Sequence, residues 1–199
     1  MNTPENKTRR PERAPKAPDI RFDEKKGTLL IGVEKKLKDM AGVRTLAEKR
    51  GLLEKDELHL TVIGSDTAEA IMASLNQLTP DKKTKILSKI KALADGTNWE
   101  FNLNPEFYYI RKEYNDPDPN NPDQTIPETR ESIIQTLKTK KLTEFYNQLQ
   151  EITGLKFETP LPHVTLFTTS TRVDKKQRGI GIYSQKDFAA LNPEKLEVN

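Results

Sequence analysis

The chain contains two histidines, and each opens the same four-residue pattern: His59-Leu60-Thr61-Val62 and His163-Val164-Thr165-Leu166. The sequence has 20 threonines in 199 residues, so threonine two places after both histidines has an accidental chance of about one in a hundred. Residues two apart on a strand share a face, so each histidine points with its threonine while the apolar residues point the other way. The motif therefore demands two strands, each with one face in a core and the other carrying an imidazole and a hydroxyl. Side by side they line a groove. There one imidazole can take a proton from a nucleophile, the other can give one to a leaving oxygen, and the hydroxyls can bond phosphate oxygens.

Composition narrows the setting. A third of the residues are apolar, which at this length suits one compact domain with extensions. Cysteine is absent, which excludes disulfides, thiolate zinc sites and cysteine nucleophiles. A metal site would need carboxylates beyond the two histidines, and their surroundings show no ligand spacing. No apolar run approaches the roughly 18 residues of a membrane span, and the polar start, Met-Asn-Thr-Pro-Glu-Asn-Lys, has no secretory core. A soluble, cytoplasmic monomer is expected. The net charge of +3 resides in residues 1–28, which hold eight Lys or Arg against five Asp or Glu and leave the remainder balanced at 25 each. A neutral body argues for a small or local phosphate ligand over a long nucleic acid gripped at many phosphates.

Along the chain, residues 1–27 form a polar, Pro-rich basic segment expected to be a disordered tail. Leu29–Val33 reads as a buried strand, and a helix-like stripe from Leu37 to Ala47 runs up to Gly51. A strand over residues 57–64 carries the first motif. Helices follow from Asp66 to Leu78 and from Thr79-Pro80 to Asp95-Gly96. Trp99–Leu103, Phe107–Tyr114 and Glu131–Leu137 read as strands, and Leu142–Ile152 reads as a helix ended by Gly154. Residues 115–128, rich in Asn, Asp and Pro, read as an exposed loop. Pro162–Phe167 and Ile180–Tyr183 complete the strands, a short helix follows from Asp187, and residues 189–199 read as a C-terminal tail.

Paired HxTx motifs on strands in a chain of this size resemble the 2H phosphoesterase superfamily, and the likeness extends over roughly residues 28–188. The resemblance implies an α+β, bilobal fold, with two pseudo-symmetric lobes whose antiparallel sheets line a central cleft and whose helices lie outside. It implies a metal-independent, cofactor-free phosphodiesterase acting on 2′,3′-cyclic phosphates, 2′-5′ linkages or cyclic oligonucleotides and RNA. His59 and His163 would be the catalytic pair, taken as base and acid respectively, and Thr61 and Thr165 the phosphate ligands. The spacing of 104 residues from one histidine to the other is long for the family.

Further candidates come from the residues themselves. Tyr183, at the end of Gly179-Ile180-Gly181-Ile182-Tyr183, is placed to reach the groove. Tyr109 and Arg111 share one face of their strand and are candidate substrate contacts, with Arg130 and Lys156 behind them. The Arg9-Arg10 pair could touch RNA weakly, although solvation is its ordinary state. The alternative from another functional class is a binding module that holds RNA ends or nucleotides in the same groove without turnover.

Overall fold

A computed structural model describes residues 18–33, 40–118, 121–172 and 177–197. The disorder expected for residues 1–17, Arg9-Arg10 included, and the Leu37 start of the first helix lie outside the described residues. The described elements run β1 (Ile20–Asp23), β2 (Thr28–Gly32), α1 (Ala41–Lys49), β3 (Leu53–Glu54), β4 (His59–Ile63), α2 (Ser65–Leu75) and α3 (Pro80–Gly96). They continue with β5 (Asn102–Asp118), β6 (Asn121–Lys138), α4 (Lys141–Thr153), β7 (His163–Ser170), α5 (Gln185–Ala190) and β8 (Glu194–Leu196). The fold is mixed α+β. Its eight strands form one antiparallel sheet in the order β1-β2-β4-β7-β6-β5-β8, with β3 also against β7.

The alternation read from the sequence decides which face of this sheet is buried. Leu29 and Ile31 of β2, Leu60 and Val62 of β4, and Val164 and Leu166 of β7 are fully buried in one cluster. Helices α1 to α4 contribute to the same cluster through residues such as Val43, Ile71, Ile90 and Phe145. A smaller second cluster joins Ile110 of β5, Ile134 of β6, Ile180, Ile182 and Phe188 of α5. The sheet is thus apolar on the helical side and only partly covered on the side where the histidines lie. The helix limits follow local chemistry: Pro80 opens α3 in its first turn, and Gly154 ends α4 with φ at +71°.

Three expectations are corrected. Ile20–Asp23 is a strand paired with β2, not part of an unstructured segment. Ile20 and Phe22 pack against the main core, and the Asp23 carboxylate accepts the Lys25 and Lys26 amides in a turn that closes on Gly27 at φ +77°. Most of the segment taken as a loop at 115–128 is strand, because β5 and β6 continue as a two-stranded ribbon with Asn115 opposite Pro127 and Asp116 opposite Ile126. Proline is tolerated there since the ribbon's outer edges need no ladder donors. The C-terminal tail supplies β8, whose Leu196 lies opposite Phe107 and is buried. Smaller differences are that Ile180–Tyr183 is coil and that the strand expected at Trp99 starts at Asn102. Among the described residues no helix is long and apolar enough to cross a membrane.

Candidate active site

The two motifs meet at the centre of the sheet. Strands β4 and β7 are antiparallel neighbours with Leu60 opposite Val164, a register that sets His59 beside Thr165 and Thr61 beside His163. The four polar side chains therefore alternate in a small diagonal array on one face. All four line a cavity of about 440 Å³, within the size range of small-ligand sites. A bulge sharpens the arrangement: Ile134 pairs with Thr165 but Ile133 pairs with Phe167, leaving Leu166 unmatched. Leu166 and Phe167 both enter the main core, and Thr168 returns to the cavity side to donate to the Arg178 carbonyl at 3.0 Å.

His163 is the more deeply set imidazole, at 8% exposure. Its Nδ1 lies 2.8 Å from the Leu161 carbonyl oxygen. A carbonyl only accepts, so Nδ1 carries a proton and, in the neutral ring, Nε2 is a free base. Burial pushes the His163 pKa below the ordinary histidine value; the Leu161 bond opposes this, and the charge of nearby His59 adds to it. His59 is half-buried and is also pushed down, first by burial and then by Lys55 and Arg21, against a smaller opposing pull from Glu57. Both rings are therefore neutral near pH 7 in the unliganded protein. The unfolded chain takes up protons at these rings before the folded one does, so stability is expected to fall as pH drops through and below about 6.5. A melting series from pH 7.5 to 5 on the wild type and His163→Gln checks this: the variant should lose part of the decline, and an identical slope would contradict the assignment.

The rest of the wall comes from three places. The first turn of α2 contributes Ser65, Asp66 and Thr67, and orphan amides at a helix N-terminus favour an anion. Tyr183 lines the cavity as expected, its hydroxyl 3.0 Å from the Ser65 hydroxyl. It fits because two neighbours lack a Cβ, which would fall 3.1 Å from the ring at Gly64 and 2.5 Å from the phenol oxygen at Gly181. Lys112 and Tyr114 of β5, Arg130 of β6 and Arg178 complete the wall. Of the lining side chains, Lys55, Lys112, Arg130 and Arg178 are cationic while Asp66 and Asp116 are anionic, an excess of positive charge suited to phosphate.

Two sequence candidates point elsewhere. Arg111 is exposed and pairs with Glu113 at 3.0 Å, and Tyr109 donates to Glu131 at 2.7 Å beneath the Arg50 guanidinium. Both belong to the opposite face of β5 from Lys112 and Tyr114. Lys156 is not among the lining residues, whereas Arg130 is. Sequence reading missed Lys55, Lys112, Tyr114 and Arg178, and it took Asp66 only as a helix cap. Among the described residues no group of three or more His, Asp or Glu is arranged to hold a metal ion. Comparison with known proteins gives no match to a family model, a curated protein or a solved structure.

Proposed function

We propose that the protein is a 2H-type phosphodiesterase that cleaves a cyclic phosphate or a 2′-5′ or cyclic oligonucleotide linkage of a nucleotide or RNA. The Leu60–Val164 register carries this reading, because it makes one wall out of two motifs 104 residues apart. The order β1-β2-β4 on one side of that pair and β7-β6-β5 on the other supports two related lobes meeting at a central cleft. The excess of cationic groups around the cavity supports an anionic substrate.

In this mechanism Thr61 and Thr165 hold the non-bridging oxygens of the phosphate while the imidazoles flank the line of attack. The Leu161 bond leaves His163 Nε2 open to accept a proton, which favours His163 as base toward water or a ribose hydroxyl. His59 then protonates the leaving oxygen, the reverse of the polarity expected from sequence. A bound phosphate draws both pKa values back upward by opposing the effects of burial and of Lys55. Rate is therefore expected to follow a bell in pH, since one ring must be neutral and the other charged. The test is turnover of 2′,3′-cyclic nucleotides, 2′-5′ oligoadenylates and cyclic oligonucleotides in EDTA across pH 5–9. Binding without turnover of any of them would instead support the non-catalytic nucleotide-binding module.

A further inference from the structure

The cavity extends well past the histidines, and its far end has a charge pattern of its own. Arg130 lies four residues along β6 from Ile134, the residue beside Thr165, or about 13 Å at the usual strand rise. Lys112 stands directly across from it on β5. One carboxylate, Asp116, is shared there by three guanidinium groups: Arg178 at 2.8 Å, Arg130 at 3.5 Å and Arg172 at 3.7 Å. Glu128 is committed to Arg130, with Nε and Nη2 each at 2.8 Å. Of the side chains lining this end of the cavity, Lys112, Arg130 and Arg178 are cationic and Asp116 is anionic. Arg178 is also 44% exposed, so its guanidinium is accessible to a ligand.

We infer that the cavity takes two phosphate groups at once, one between the HxTx motifs and one at the Lys112–Arg178 end, so that its ligand is a dinucleotide or longer. The inference rests on the phosphodiesterase reading for the first group only. The ends are further apart than one phosphate can bridge, so a ligand that fills the cavity presents an anion to each. The cavity wall also carries Tyr183, whose hydroxyl lies 3.0 Å from the Ser65 hydroxyl. An aromatic ring in the same wall offers a surface on which a nucleobase of such a ligand can stack.

Calorimetric titration with AMP and with the 5′-phosphorylated dinucleotide pApA tests this, ligand integrity being checked by chromatography. The wild type should bind pApA at least tenfold more tightly than AMP. The double variant Lys112→Ala/Arg178→Ala should remove that advantage, while Lys85→Ala/Lys89→Ala, on α3 away from the cavity, should keep it. Equal affinities for the two ligands in the wild type, or an advantage that survives in the first variant, would overturn the inference. Histidine-dependent turnover without a pApA advantage defeats the two-anion cavity alone. A pApA advantage without histidine-dependent turnover defeats only the phosphodiesterase reading.

Discussion

His59→Ala and His163→Ala are each expected to lower kcat on the best substrate by about 10²–10⁴-fold, the usual contribution of a general acid or base. The two residues act on one phosphate in one step, so the double variant should be little worse than the poorer single one. His163 packs tightly at the sheet centre, and truncation there also removes contacts. His163→Gln, which keeps an amide near the Leu161 carbonyl, separates chemistry from packing. It should melt within about 1 kcal/mol of wild type, as an ordinary substitution does, yet be as inactive as the alanine variant. Thr165→Val should be milder but still costly, roughly 10²-fold, as for loss of one donor to a developing charge. Steady-state kinetics with circular dichroism melts on the same preparations provide the check; full activity in either histidine variant would falsify the acid/base pair.

The largest effect on stability is expected at Glu128, far from the histidines in sequence. Its side chain is fully buried and 2.8 Å from Arg130 Nε, and it accepts the Ser170 hydroxyl at 2.6 Å. Arg130, itself buried, stacks its guanidinium 3.8 Å from the centre of the Tyr114 ring. Glu128→Ala leaves that cation with the Tyr114 ring and, as a charged partner, the longer contact to Asp116, and should cost about 3–5 kcal/mol, the range for removing one partner of a buried pair. In a domain of this size that lowers Tm by roughly 10 °C. The Arg130 bonds hold the Glu128 carboxyl down at about 2, well below the ordinary carboxylate range. A depressed carboxyl stabilises the fold fully above its unfolded value and loses that contribution as pH falls from about 4.5 toward 2. The gap between wild type and Glu128→Gln should therefore be wide at pH 7 and shrink on acidification below 4.5. A gap that stayed constant through that range would show that the carboxylate charge is not what matters.

The core of this picture was legible because strand alternation is local. Four residues fix which way His59 and His163 point, and the register then follows once both apolar faces enter one core. The same rule could not say which face of β5 meets the cavity. Tyr109/Arg111 and Lys112/Tyr114 are equally plausible pairs in sequence, and the choice is made by Ile110 and Ile134 packing under Ile180 and Ile182. The ribbon beyond Tyr114 was opaque for another reason. Asn, Asp and Pro favour loops locally, but Asp116 is tied to Arg172 and Arg178, more than 50 residues away. Ile20 and Phe22 were hidden in a charged segment whose strand exists only because β2 offers it an edge. Leu196 likewise depends on Phe107 for burial, a contact no local pattern announces. Lys55 and Arg178 reach the cavity from loops and carried no periodic signal at all.

With only two histidines in the chain, nitrogen-15 NMR resolves every imidazole nitrogen of the protein in one spectrum. Titrating pH with and without saturating nucleoside 2′-monophosphate reports directly on whether one phosphate touches both rings. The expected result is that the pKa values of His59 and His163 rise together, with the same ligand concentration dependence. A response confined to one ring, or to neither while the nucleotide is bound, would contradict a shared phosphate between the two motifs.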